Sequence, residues 1–184
     1  MHFRYQHVVI PLRLRDFNSY KTSPFILPKV FITGGKNDIE NGIKNTYIFD
    51  KNETSKVPDL PEGIFGAASV LYNNTPISCG GKKIDGEITS DCFQFNGELW
   101  VEFPSLQKPR IGSKMISYET QLIITGGGND LSTEVFNGDS WINGPEMLRS
   151  LSYHCIVFLD DNGKFLLIGG KKFIYVFDWK SYFK

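Results

Sequence analysis

Four glycine pairs punctuate the chain, at Gly34-Gly35, Gly80-Gly81, Gly126-Gly127 and Gly169-Gly170, and their first members are 46, 46 and 43 residues apart. Each pair ends a short apolar run: Val30-Phe-Ile-Thr, Thr75-Pro-Ile-Ser-Cys, Gln121-Leu-Ile-Ile-Thr and Lys164-Phe-Leu-Leu-Ile. Downstream, an apolar residue and an aromatic recur at strand spacing: Tyr47 and Phe49, Phe93 and Phe95, Val135 with Phe136, Tyr175 and Phe177. Two further registers move in step. Trp100 and Trp141 stand at one, with Thr54 in their place in the first unit, and Trp179 falls too close to Phe177 to fill it in the last. Pro58-Asp-Leu60, Pro104-Ser-Leu106 and Pro145-Glu-Met147 mark the other. A fixed period of this length means a repeat architecture in which each unit buries its apolar faces on its neighbours. A phosphate loop is a poor alternative for the glycines, because Gly80-Gly-Lys-Lys-Ile-Asp-Gly-Glu leads from one strand into another instead of into a helix N-terminus. Glycine pairs at strand ends fit places where the backbone takes positive φ or approaches a neighbouring segment closely.

Glycine pair, spaced aromatics, Trp, Pro-x-Leu and a period near 46 together resemble the kelch repeat. That resemblance implies an all-β, kelch-type β-propeller of about four blades, each an antiparallel four-stranded sheet whose first strand lines a central channel. Units are expected roughly over 7–60, 61–106, 107–147 and 148–184, with 13–29 as an inserted loop in the first. First strands fall near His7 to Leu12, Ala67 to Tyr72, Ser113 to Tyr118 and His154 to Leu159, and turn formers such as Asn73-Asn74 follow them. Only three fourth strands are expected. The chain is therefore expected to be a fragment of a larger propeller, able to self-associate, with a compact four-bladed ring as the alternative.

Composition narrows the function classes. Twenty Lys plus Arg offset twenty Asp plus Glu, so no overall field draws the protein to nucleic acid or an anionic membrane. No apolar run approaches the roughly 18 residues of a membrane span. Cys79, Cys92 and Cys155 lack CxxC spacing, so neither a disulfide framework nor a zinc site is expected, and a reducing, cytoplasmic setting follows. The sequons Asn52-Glu-Thr and Asn73-Asn-Thr would matter only behind a secretory leader. His7 and His154 share one repeat position, which is repeat architecture and not part of a triad; no GxSxG elbow is present and no cofactor is expected.

The expected function is therefore protein binding without catalysis. By resemblance, kelch propellers act as substrate-recognition modules of cullin-based ubiquitin ligases, as actin-binding modules or as scaffolds. A propeller enzyme acting on carbohydrate or as an oxidase is the alternative, and an extracellular adhesion module the second. In such blades the loops joining strands two and three emerge on the same face as those entering each new first strand. Lys36, Lys82, Lys83, Arg110, Arg149, Lys171 and Lys172 fall in these loops and form an expected basic rim for an acidic or phosphorylated peptide. An alternative role for Arg110 is to bond carbonyls of the neighbouring blade. Trp100, Trp141 and the glycine pairs are expected to be structural, and the repeated phenylalanines to be core.

Overall fold

The computed structural model describes residues 8–11, 30–37, 42–50, 53–159, 163–169 and 173–179. The insertion at 13–29, Gly170, Lys171 and Lys172 lie outside the described residues. The first sheet runs β1 (Val8–Pro11), β2 (Val30–Thr33), β3 (Thr46–Asp50) and β4 (Glu53–Val57), in that spatial order. A two-residue strand, β5 (Ile64–Phe65), precedes the second sheet, which contains β6 (Ala68–Tyr72), β7 (Thr75–Cys79), β9 (Cys92–Phe95) and β10 (Trp100–Phe103). Between β7 and β9 the short β8 (Lys82–Lys83) pairs back to β5. The third sheet is β11 (Lys114–Tyr118), β12 (Gln121–Thr125), β13 (Thr133–Phe136) and β14 (Trp141–Asn143), and the fourth is β15 (Cys155–Phe158), β16 (Lys164–Gly169) and β17 (Phe173–Asp178). All pairings are antiparallel, and there is no helix among the described residues.

The inner strands lie side by side in succession, β1 by β6, β6 by β11 and β11 by β15, so the sheets fan out from a shared axis as propeller blades do. Among the described residues the sheets do not close into a ring. The strand turns are the ones the sequence calls for: Asn73 and Asn74 both take positive φ, 47° and 62°, as a two-residue hairpin turn requires. On the opposite edge the hairpins at Asn96 and Asn137 are built alike. In each, the side-chain carbonyl accepts two backbone N–H bonds of 2.9–3.0 Å.

The core is three slabs between blades, and alternate residues of a strand feed alternate slabs. In the second blade Ala68, Ile77, Cys79 and Cys92 pack on Met115, Leu122, Ile124, Phe136 and Trp141 of the third. Phe93 and Phe95 face the other way, onto Phe31 of the first. Tyr118, Ile123 and Val135 in turn meet Phe165, Leu167 and Phe177. The Pro-x-Leu residues plug these slabs: Leu60, Leu106 and Met147 are buried, and each N–H bonds a carbonyl at Lys44, Ser90 or Leu131. Each tryptophan bonds the preceding blade through Nε1: Trp100 to Thr46 Oγ1, Trp141 to the Pro104 carbonyl and Trp179 to Gln121 Oε1. Trp179, out of register in sequence, reaches this place from just beyond β17, packed on Phe165 and Phe177.

The glycine pairs are joints between blades. The second glycine of three pairs donates its N–H to a carbonyl in the loop entering the next blade: Gly35 to Ile64 (2.9 Å), Gly81 to Arg110 (2.7 Å) and Gly127 to Leu151 (2.9 Å). A Cβ on Gly80 would stand 2.6 Å from the Arg110 oxygen, closer than any side chain can be accommodated without displacing backbone.

Two expectations are corrected. Cys79 and Cys92 form a disulfide. They are direct cross-strand partners, at the register where the first blade pairs Thr33 with Thr46 and the third pairs Thr125 with Thr133. Phe49, expected in the core with its repeat partners, is 36% exposed. Thr54 lies opposite it, whereas Trp100 and Trp141 cover Phe95 and Phe136 at ring-centroid distances of 5.5 Å.

Gly80 and Gly128 have nearly the same φ, +69° and +64°, but a Cβ on Gly128 meets nothing within 4 Å. Gly128→Ala should therefore cost only the left-handed backbone penalty, about 1–2 kcal/mol. Gly80→Ala should cost about 2 kcal/mol more, read by urea denaturation. Equal losses would remove the close-approach account of the pairs.

Candidate interaction face at the channel mouth

The loops after second strands and those entering first strands interlock on one face. Ile43 bridges to Ile64, β8 pairs with β5, and the Arg110 N–H bonds the Thr89 carbonyl. At the inner edge of this face, Gly112 donates to the Gly66 carbonyl (2.8 Å) and Tyr153 to the Gly112 carbonyl (2.6 Å), one residue from each incoming loop. These three positions share a left-handed backbone, with φ of 69°, 71° and 53°. Glycine adopts it freely; a tyrosine there is a genuine outlier.

The Tyr153 ring uses the space the other two glycines leave. Positions for a Cβ on Gly112 lie 2.9 Å from its ring carbons, and one on Gly66 would lie 3.1 Å from its hydroxyl. The side chain thus spans two blades at the inner edge of this face and is still 49% exposed. Burial raises its phenol pKa, while the charge of Lys36 pulls it down. The Lys36 ammonium also lies 5.8 Å from the Phe65 ring centroid. Around this cluster the same loops expose Ile84, Ile88, Leu131 and Leu148.

The expected basic rim is redistributed. Arg110 is corrected from rim cation to an interior bracket, since only 1% of its surface is exposed. Its guanidinium bonds Glu134 Oε1 through Nε (3.0 Å) and Nη2 (2.9 Å), and also the carbonyls of Gly126 and Ser132 and the Ser132 hydroxyl. The backbone N–H groups of Gln107 and Lys108 complete the shell of that carboxylate. A buried charge persists only with such partners. Glu134 was not singled out from sequence, though it stands where the other blades place Tyr47 and Phe93, which was a usable signal. Lys83 is held by Asp91 at 2.9 Å and Glu62 at 3.0 Å. The Asp91 hydrogen bond, then that of Glu62, raises its pKa, and the same contact with Lys83 lowers that of Asp91. Burial pushes the Asp130 carboxyl up, but the Ser132 amide and hydroxyl and then Lys108 bring it down to about 2. Lys36 lies over Phe65 and its charge reaches Tyr153, Lys82 is the strand partner of Phe65, and Arg149 is exposed on the loop before Tyr153. Tyr153 was missed in sequence; aligning it with Gly66 and Gly112 would have found it.

Beneath Tyr153, His154 is fully buried. Its Nε2 lies 2.8 Å from Thr125 Oγ1, whose hydroxyl donates to the Lys114 carbonyl; Nε2 therefore carries the proton, and Nδ1 has no hydrogen-bond partner among the described residues. Among the described residues no group of three or more His, Cys, Asp or Glu converges to hold a metal ion.

Fold and face together define an all-β repeat protein of the propeller type, with an apolar cluster and a few cations on its loop face. In an alignment 152 residues long that covers 77% of the chain, it is 26% identical to Kelch-like protein 41b of Danio rerio. The chain spans about a quarter of that relative's length, 25%. No protein-family model matches the chain.

Burial, then the nearby Lys114 charge, lowers the His154 pKa to about 4, below the ordinary 6.5 of an unfolded histidine. Unfolding therefore takes up a proton between about pH 6.5 and 4, and stability should fall as pH falls through that window, by about 3 kcal/mol in all. His154→Gln should flatten this part of the pH profile in denaturation curves. An unchanged profile would contradict the buried neutral imidazole.

Proposed function

We propose that this chain is a kelch-type propeller segment whose loop face binds protein, with Tyr153 as the central anchor. The observation that carries the reading is the left-handed, half-exposed Tyr153 at a position where two other units hold glycine. A strained aromatic kept at the mouth of a rigid scaffold has the character of a binding hot spot, which favours Tyr in a partly desolvated centre. Ile84, Ile88, Leu131 and Leu148 extend the apolar contact. Lys36, Lys82 and Arg149, with Lys171 and Lys172 by repeat position, favour an acidic segment in the partner and act on its rate of encounter. Similarity to a kelch-like protein supports a recognition or scaffolding role over catalysis. Substrate recognition for a ligase and actin binding are the particular forms of that role.

A second reading, an extracellular module, is favoured by the Cys79–Cys92 disulfide, since such bonds persist in oxidising compartments. Asn73, exposed at its turn, would there be open to glycosylation. One alkylatable thiol in protein taken from its own cells supports this reading; three would return the chain to the cytoplasm.

The binding proposal is tested with binders selected from a displayed library of Asp- and Glu-rich peptides. Tyr153→Gly should weaken them at least tenfold, about 1.4 kcal/mol or more, while leaving stability equal or higher by about 1 kcal/mol because the backbone strain is relieved. Charge reversal at Lys36, Lys82 and Arg149 should weaken them further and remove their salt dependence. Reversal at Glu98 and Asp139, in the hairpins of the opposite face, should change nothing. Binders indifferent to Tyr153→Gly would overturn the proposal.

A further inference from the structure

The outer face of the fourth sheet is apolar and is left uncovered by the described residues. Cys155, Ile168 and Ile174 form one cross-strand row of it, and Val157, Leu166 and Val176 the next. Ile174 is 69% exposed and Val176 52%, and Val157, Ile168 and Leu159 are exposed as well. These rows stand at the registers of rows that other blades pack, buried or half-buried, against a neighbouring blade. Ala68, Cys79 and Cys92 with Val70, Ile77 and Gln94 are their counterparts in the second sheet. Those of the third include Ile116, Ile123 and Val135. In both of those sheets this side is the one that receives the next blade.

The first sheet carries the complementary side. Val30 pairs with Phe49 and Ile32 with Tyr47, at the registers of Pro76, Ser78, Phe93 and Phe95 in the second sheet and of Leu122, Ile124, Glu134 and Phe136 in the third. In those sheets this side seats on the preceding blade. In the first sheet Phe31 and Ile48 are engaged with the second blade, which leaves Val30, Ile32, Tyr47 and the exposed Phe49 turned outward. One molecule therefore presents both halves of an interface that it already makes three times internally.

We propose that a second copy of this chain covers the fourth sheet with the outer side of its own first sheet, in a head-to-tail contact. Phe49 of one copy would lie over the Ile174 and Val176 rows of the other, as Phe136 lies over the second blade. Thr54, in place of a tryptophan, leaves this contact without the indole that closes the internal ones, so the association is reversible. The inference is independent of the loop-face reading, because neither Tyr153 nor its neighbours belong to the two sides involved.

Cys155 sits on the proposed contact and is exposed, while the other two cysteines are bonded to each other, so its alkylation by N-ethylmaleimide reports coverage without any mutation. In sedimentation velocity the 184-residue chain should grow with concentration beyond a monomer, and Cys155 labelling should slow in step. Ile174→Lys and Phe49→Lys change exposed side chains; each variant alone should stay monomeric. An equimolar mixture should form a one-to-one dimer, because each variant keeps the side the other lacks. Three results would overturn the proposal. One is a monomer at every concentration, whether Cys155 is open or shielded by closure within one chain. The others are dimerisation of Phe49→Lys alone, which means fourth sheet against fourth sheet, and failure of the mixture to associate.

Discussion

The backbone hydrogen bond from the second glycine of three of the pairs, Gly35, Gly81 and Gly127, to the loop entering the next blade is the joint on which the rest of this structure depends. It forms only because the first glycine has no Cβ: the partner carbonyl occupies the space a side chain would take, as Arg110 shows at Gly80. That single contact fixes the end of the second strand against the start of the following unit. The Pro-x-Leu side chain then drops into the slab between two sheets, and the tryptophan Nε1 reaches back to the blade before. Apolar burial supplies most of the driving force, but the direction in which each sheet faces is set by this backbone contact.

The same joints assemble the candidate site. Gly66, Gly112 and Tyr153 follow the joint residues Ile64, Arg110 and Leu151 by two positions, so the loops that close the blades also deliver their next residues to the channel mouth. Tyr153 occupies a conformation that its neighbours in the chain of hydrogen bonds fill with glycine, and its ring rests on both of them. The left-handed backbone of that residue stores strain on a rigid frame, and its ring stays half exposed. Glu134 and Arg110 show the opposite arrangement. A charge enters an aromatic position in the slab and is matched by an arginine that the joint has already brought there, so a cation expected on the surface serves the interior.

Much of the fold was legible because it is written four times. Glycine pairs, aromatic spacing, Pro-x-Leu and the Asn73-Asn74 turn each have a local physical cause, and their common period carries the architecture. What was not legible depends on pairing across blades. Whether Arg110 points outward follows from Glu134, 24 residues away. Phe49 is uncovered because its opposite residue is Thr54, and the Cys79–Cys92 bond follows from a cross-strand register that spacing between cysteines does not reveal. Comparing the units column by column, with attention to the residue that departs from its column, would have found Tyr153, Glu134 and the two cysteines alike.

The claim that the glycine pairs are inter-blade joints is tested most directly by native-state hydrogen exchange at the amides of Gly35, Gly81 and Gly127. If each N–H is held by the next blade, these amides exchange only through the opening that separates blades, with protection equal to that of the central strands β7 and β12. If they instead exchange as fast as the exposed hairpin glycines Gly97 and Gly138 while those strands stay protected, the joints do not exist in solution and the account fails.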